Sequence, residues 1–143
     1  MKIMAIDYGD ARTGFAISDR SEFLASPIGT VSERNAERLA DKAAQTAAEY
    51  GAGEIIVGLP INMNGTEGPR AEKCRAFAEL LKERTELPVR MWDERSTTVT
   101  AHNILNETNV RGKARKAVVD TVAATIILEG YLEYRRKKAK QAD

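Results

Sequence analysis

Residues 2–19, KIMAIDYGDARTGFAISD, contain the stretch that decides the fold. The first part, KIMAID, is almost continuously apolar, which is typical of a central strand that is covered on both faces. The last part, TGFAISD, alternates between apolar and polar residues and predicts a second strand, paired with the first as a hairpin. Gly9 and Gly14 bracket the turn between them. The stretch therefore predicts a sheet whose central strand ends on the charged residue Asp7.

The charge of Asp7 needs an explanation because a carboxylate at the edge of a core is costly unless it is compensated. An aspartate that precedes a turn glycine is often only a turn former. The other interpretation is that Asp7 binds a cation. This stretch alone leaves both interpretations open.

Length and composition limit the class of protein. A chain of 143 residues suits one domain, residues 1–143, and such a domain buries roughly two thirds of its unfolded surface. Lys and Arg number 22 against 21 Asp and Glu, so affinity for a polyanion must come from local clusters. Cys74 is the only cysteine, which excludes an internal disulfide and a thiolate zinc site. With no bilayer-length apolar run and no signal-type N-terminus, we expect a cytoplasmic protein without a membrane partner.

The rest of the chain alternates between predicted helices and strands. Pro27 places the third strand, LASPIGTV, at a sheet edge. The further elements are a helix over about 34–50 capped by Ser32, the buried strand EIIVGLP, a helix from about Pro69 to Arg84, the strand VRMWDE, a helix beginning near Ser96 and a final helix from about Lys113 to Lys137. Short right-handed crossovers place the first strand beside the fourth. The sequence predicts an α/β fold with a mixed five-stranded sheet, order 3-2-1-4-5, and helices on both faces.

Acidic residues lie where such a sheet would bind a ligand, at the carboxyl ends of its parallel strands. Asp7 closes the first strand, and Asp93 and Glu94 close the last one. Neighbours on a strand point to opposite faces, so the sequence does not decide between Asp93 and Glu94. Asp120, on the last helix, borders an apolar stripe formed by Val119, Val122, Ala123, Ile126 and Leu132 or Tyr134. We expect Asp120 to converge with Asp7 and Glu94.

Four stretches of the chain together resemble a known family. DYGDARTGFAISD, IIVGLPINMNGTEGP, WDERSTT and VVDTVAATIILEGYLE are similar to the signature blocks of the YqgF family of RNase H-like proteins, also called RuvX. The blocks occur in the same order and cover residue 1 to about 134. Departures from the family pattern are small: Tyr8 stands where Phe is common, Ser96 where Leu is common, and Thr100 where an acid is frequent.

The resemblance implies an RNase H-like fold and a magnesium-dependent nuclease. Members are linked to maturation of the 5′ end of the 16S rRNA precursor, and a Holliday junction resolvase role is argued from fold kinship. The acidic residues of the family fall on Asp7, Glu94 and Asp120, which become the predicted catalytic residues and metal ligands. The expected partner is nucleic acid, either structured RNA or branched DNA, and both a monomer and a homodimer stay open.

Three carboxylates suit the chemistry of phosphodiester hydrolysis. Two magnesium ions roughly 4 Å apart can activate a water and stabilise the leaving oxygen. Magnesium prefers oxygen ligands, and manganese accepts them too. Our hypothesis is that Asp7 bridges the ions, while Glu94 and Asp120 each hold one.

Polar and basic residues near these acids are predicted substrate contacts. The loop INMNGTEGPR offers Asn62, Asn64, Gly65 and Thr66. The basic candidates are Arg12, Arg95, Lys113, Arg115 and Lys116. The alternatives are an ordinary loop, solvated charge at a helix start and, for Arg95, a structural salt bridge.

Two other functions compete with a nuclease. The aspartate-glycine hairpin also resembles the phosphate-binding element of actin-like ATPases and sugar kinases. Those proteins duplicate the fold around the nucleotide, and 143 residues supply only half of that arrangement. A catalytically weak nucleic-acid-binding module is the second alternative, which the presence of all three acids disfavours.

Overall fold

The computed structural model describes residues 1–94 and 112–142, with side chains described for residues 1–94 and 122–140. In chain order the elements are β1 (Lys2–Asp7), β2 (Arg12–Ser18), β3 (Ala25–Ser32), α1 (Ala36–Glu49), β4 (Ala52–Leu59), α2 (Pro69–Lys82), β5 (Val89–Asp93) and α3 (Gly112–Ala142). The helix predicted near Ser96 lies outside the described residues. None of the described helices combines the length and the apolar character needed to cross a membrane.

The strands form one mixed sheet in the order β3-β2-β1-β4-β5, which confirms the predicted architecture. β1 runs antiparallel to β2, with Asp7 opposite Gly14, and parallel to β4. β4 in turn runs parallel to β5, with Leu59 opposite Asp93. The carboxyl ends of β1, β4 and β5 therefore meet at one edge of the sheet. β3, which contains Pro27, is an outer strand as predicted.

Each face of the sheet carries its own buried core. Met4 and Ile6 of β1 pack with α1 and α2 on one face. Ile3 and Ala5 of the same strand pack with α3 on the other face. The central strand is thus covered on both sides, which explains its continuous apolar sequence. Because side chains alternate along a strand, Asp7 follows Ile3 and Ala5 onto the α3 face.

The two helices of the first core differ in how well the sequence predicted them. α2 begins at Pro69 as predicted, and its expected core face is buried: Ala71, Cys74, Phe77, Ala78 and Leu81. For α1 the predicted cap Ser32 is wrong, since Ser32 still belongs to β3 and pairs with Arg12. Asn35 caps the helix instead, accepting a hydrogen bond from the Arg38 backbone N–H at 2.9 Å.

The apolar stripe predicted for the last helix is only partly right, since of its described members Ile126 and Leu132 are buried. α3 packs on the sheet through Ala124, Ile127, Leu128 and Tyr131, whereas Val122 and Ala123 are only half-buried. The sequence VVDTVAATIIL is apolar on nearly every side, so the periodicity favoured no single face and the contact with the sheet decides it. Asp120 occupies the helix position one turn before Ala124. Its side chain lies outside the described residues, so the predicted position at the flank of the stripe stays a prediction.

Candidate active site

Asp7 ends β1, and the turn that follows it is held by a hydrogen bond between two of the turn's residues. The side chain of Asp7 is half-buried at the shared edge of the strands. In the turn, the Gly9 N–H donates to the hydroxyl of the buried Thr13 at 3.2 Å. A Cβ at Gly9 would lie 2.0 Å from the Arg12 carbonyl oxygen, so the turn admits only glycine there. The sequence thus fixes the backbone that carries Asp7.

Glu94 lies on the same face of the sheet as Asp7. Its backbone N–H donates to the Leu59 carbonyl at 3.1 Å, which extends the β4–β5 pairing by one step. A Cβ at Gly58 would lie 2.8 Å from the Glu94 Cδ and 2.7 Å from the Ile127 Cδ1. The Glu94 carboxyl therefore occupies the space that Gly58 leaves open, beside α3. Of the two adjacent acids, Glu94 is the one that the structure places on the α3 face.

The carboxylates at the ends of β1 and β5 affect the pKa values of neighbouring groups. Burial raises the pKa of Glu94, the positive charge of Arg70 opposes the shift, and the charge of Asp93 adds to it. Burial also raises the pKa of the Cys74 thiol to about 11; Arg70 opposes this shift, and the carboxylates of Glu94 and Asp7 add to it. Both acids therefore lie close enough to influence the same thiol. The edge of the sheet concentrates negative charge.

Arg70 is a functional candidate that the sequence reasoning missed. It lies in the first turn of α2 and donates a hydrogen bond to the Tyr8 carbonyl, and its Nη1 is 3.9 Å from the Asp10 carboxylate. It therefore connects α2 to the β1–β2 turn and places a positive charge near Glu94. A basic residue in the first turn opposes the helix dipole, which favours acidic residues there. That unfavourable position was the available signal.

The loop that follows β4 is closed by its own polar groups. The Asn62 N–H donates to the Thr66 carbonyl at 2.9 Å, and the Asn62 side-chain amide donates to the Thr66 hydroxyl at 3.0 Å. The Thr66 hydroxyl donates in turn to the Asn64 side chain at 2.6 Å. Gly65 has a φ of +88°, a conformation that glycine adopts without strain. The loop is therefore preformed and exposed, and it begins at the carboxyl end of β4.

The structure describes the other predicted contacts to different extents. Arg12 begins β2, half-buried, at the same edge of the sheet as Asp7 because the two strands are antiparallel. Arg95 lies outside the described residues. The remaining calls lie on the first turns of α3, with side chains outside the described residues: Lys113, Arg115, Lys116 and Asp120. Within the side chains that the structure describes, no group of three His, Cys, Asp or Glu residues is placed to hold a metal ion.

The donor set fits a hard divalent cation. Asp7 and Glu94 both supply carboxylate oxygens, the ligand type that magnesium and manganese prefer. Both side chains are half-buried on one face of the sheet, and the raised pKa of Glu94 reflects a carboxylate that a nearby positive charge would stabilise. Residues 1–94 and 122–140 thus contain two of the three acids of the predicted site.

Comparison with known proteins gives consistent similarities in sequence. Residues 1–134 match the sequence model of the family described as "RuvX: Holliday junction resolvase". A protein of Halothermothrix orenii, named "Putative pre-16S rRNA nuclease", is 45% identical over 137 residues, covering 96% of this chain and 98% of the relative. A protein of Clostridium novyi with the same name is 44% identical over 133 residues, covering 93% and 98%.

Two solved structures share the fold of this chain. T. thermophilus RuvC in complex with a Holliday junction substrate matches with a TM-score of 0.59 at 12% identity, covering 95% of this chain and 96% of that one. The fowlpox virus Holliday junction resolvase matches with a TM-score of 0.55 at 17% identity, covering 94% and 99%. At these identities the likeness shows a shared fold alone.

Proposed function

This chain belongs to the RuvX family, and we propose that it is a single-domain, divalent-metal-dependent endonuclease that processes the 5′ end of the 16S rRNA precursor in the cytoplasm. The observation that carries the proposal is the placement of Asp7 and Glu94 on one face of the sheet, at the carboxyl ends of parallel strands. The names of relatives up to 45% identical to this chain support a ribosomal RNA substrate.

The proposed reaction is hydrolysis of a phosphodiester bond. Asp7 and Glu94 would hold Mg²⁺, which Mn²⁺ could replace, and Asp120 is the proposed third ligand. When bound, the cation supplies an activated water and stabilises charge on the leaving oxygen. The fold positions the Glu94 carboxyl. The β4–β5 pairing holds the backbone of Glu94, and Gly58 leaves room for its carboxyl. Burial raises the pKa of Glu94, and the charge of Arg70 opposes that rise, which favours the ionised form that can bind a cation.

The preformed loop after β4 and the start of α2 are the proposed contacts with the substrate backbone. Gly68 caps α2 without a side-chain hydrogen bond, and helix N-termini favour phosphate. The proposed contacts are the loop residues Asn62, Asn64, Gly65 and Thr66, and the basic residues Arg12, Arg95, Lys113, Arg115 and Lys116. Binding through such cations weakens steeply as the salt concentration rises.

A cleavage assay on a 5′-extended 16S precursor fragment, with Mg²⁺ or Mn²⁺, tests the proposal. Loss of groups that merely support metal ligands costs about 10- to 100-fold in activity, so Asp7→Asn should lose more than about 100-fold. Asp10→Asn is the matched control because Asp10 is an exposed acid of the same turn, paired with Lys73 at 3.4 Å. Wild-type protein that leaves the RNA intact, or Asp7→Asn protein that cleaves normally, would overturn the proposal.

A second candidate function is resolution of DNA four-way junctions. The family description and the RuvC–junction complex, whose fold this chain shares, favour it. The same carboxylates would act, because a two-metal site works on the phosphate of either nucleic acid. A four-way junction in the same assay distinguishes the two, since a resolvase cuts it in symmetric pairs and an RNA-processing enzyme cuts the precursor.

A further inference from the structure

A pocket of about 330 Å³ opens between β5 and α3, and neither Asp7 nor Glu94 lines it. Its walls combine aromatic rings, contributed by Trp92, Tyr131 and Tyr134, with cations, contributed by Arg90, Arg135 and Lys138. We call it the aromatic pocket. The proposed reaction uses none of these residues.

The rings of the aromatic pocket are arranged as an open surface rather than as a closed core. Trp92 meets Tyr131 edge to face, with ring centroids 5.3 Å apart, and lies 5.4 Å from the Tyr134 ring. Tyr134 is nevertheless 46% exposed. Among the described residues, the buried Nε1 of Trp92 has no hydrogen-bond partner. The pocket therefore offers an accessible ring face on Tyr134.

The charges of the aromatic pocket favour an anionic ligand. The buried carboxylate of Glu54 pairs with Arg90 at 2.5 Å and lies 3.6 Å from Arg135, which also pairs with Glu22. These carboxylates balance the two arginines. Lys138 has no carboxylate partner among the described side chains, and its Nζ lies 5.9 Å from the Tyr134 ring centroid. One positive charge is therefore in excess at the exposed side of the pocket.

The position of the aromatic pocket relates it to the strand-end acids. Trp92 precedes Glu94 by two residues on the same edge of the sheet, and both side chains lie on the α3 face. Tyr134, whose ring would hold the base, lies seven helical residues beyond Ile127, which adjoins Glu94 above Gly58, and seven such residues cover about 10.5 Å. Nucleotides stacked in one strand of a helix advance about 3.4 Å each, so this distance corresponds to about three nucleotides.

We propose that the aromatic pocket binds an unpaired nucleobase of the substrate strand, with the adjoining phosphate on Lys138. The base would stack on the exposed Tyr134 ring, beside Trp92. Aromatic stacking suits this role because every base has a π-face. The inference rests on the proposed nuclease function, for which the pocket would hold a single-stranded segment close to the strand-end acids.

Trp92 makes the proposal directly measurable because it is the only tryptophan of the chain. Full-length protein in EDTA is titrated with a single-stranded RNA oligonucleotide and with the same sequence as a duplex. Single-stranded RNA should quench the Trp92 emission and bind more tightly than the duplex. Tyr134→Ala and Lys138→Gln should each weaken single-strand binding about tenfold, whereas Tyr134→Phe should retain it.

Matched controls are available on the same chain. Tyr50 is 39% exposed at the end of α1, and Lys137 neighbours Lys138 but pairs with Glu133 at 3.2 Å, so Tyr50→Ala and Lys137→Gln should bind as the wild type does. Absence of quenching by single-stranded RNA, equal losses in the control variants, or quenching by an acidic peptide instead of RNA would overturn the proposal. Cleavage is measured in parallel. Cleavage without quenching refutes the pocket alone, and quenching without cleavage supports the pocket while it refutes the nuclease function.

Discussion

Replacing Gly58 by alanine should reduce both the cleavage rate and the stability of the protein. The new Cβ would lie 2.7 Å from the Ile127 Cδ1 and 2.8 Å from the Glu94 Cδ, well inside an ordinary carbon contact of about 3.5 Å. Ile127 is fully buried, and overpacking of this kind costs about 1–3 kcal/mol of unfolding free energy. The Glu94 carboxyl must move by about 0.7 Å to restore a normal contact. Since a misplacement of about 1 Å can cost about 100-fold, we expect a 10- to 100-fold lower cleavage rate.

The measurements are urea unfolding and single-turnover cleavage at saturating Mg²⁺. Gly53→Ala is the matched control, because Gly53 lies on the same strand and its Cβ would also meet an atom closer than 3.0 Å. That atom is the Met1 Sδ, 2.9 Å away at the end of a flexible, exposed side chain. Gly53→Ala should therefore keep the wild-type cleavage rate, with at most about 1 kcal/mol of lost stability.

A double variant separates the two contacts of the new methyl group. Ile127→Val removes the Cδ1 atom, so Gly58→Ala combined with Ile127→Val should recover part of the lost stability. The contact with Glu94 remains, so the cleavage rate should stay low. A Gly58→Ala protein with wild-type activity would refute the reasoning. Recovery of the rate together with stability in the double variant would show that the loss arose from α3 rather than from Glu94.

Three further predictions concern groups around and behind the site. Arg70→Gln removes the positive charge that lowers the pKa of Glu94, so the acidic limb of the pH–rate profile should move to higher pH, with a smaller shift in Arg70→Lys. Because burial raises the pKa of Cys74 from 9.0 to about 11, the folded state binds more protons above pH 9 and stability should fall by about 1.4 kcal/mol between about pH 8 and pH 10. Urea unfolding should show no such contribution in Cys74→Ala. Tyr131→Phe removes a hydroxyl donated at 3.0 Å to the buried Glu54, which should lower the unfolding free energy by about 1.5–3 kcal/mol with an unchanged cleavage rate.

The sheet and the core face of α2 followed from the sequence because local periodicity encodes them. KIMAID is apolar throughout since both of its faces are buried, and Ala71, Cys74, Phe77 and Leu81 repeat at helical spacing. The face of α3 did not follow, because an apolar pattern on nearly every side defines no direction. The sheet contact through Ala124 supplies that direction, and no local pattern records it.

The site was only partly encoded in local patterns. The strand pattern alone left Asp93 and Glu94 equivalent, because register at a strand end depends on the neighbouring strand, and only the family resemblance favoured Glu94. The structure separates them through Gly58, whose missing side chain leaves space for Glu94. Arg70 was missed because its contact with Tyr8 spans 62 residues of sequence. The roles of Asp7, Glu94 and Asp120 as metal ligands stay predictions.

Binding of Mn²⁺, followed by electron paramagnetic resonance in the presence of saturating oligonucleotide, tests most directly whether the strand-end acids share a cation. Asp7→Asn and Glu94→Gln should each lower the affinity for Mn²⁺ by more than about tenfold, while Asp10→Asn should bind Mn²⁺ as the wild type does. Wild-type Mn²⁺ affinity in both Asp7→Asn and Glu94→Gln would contradict the account.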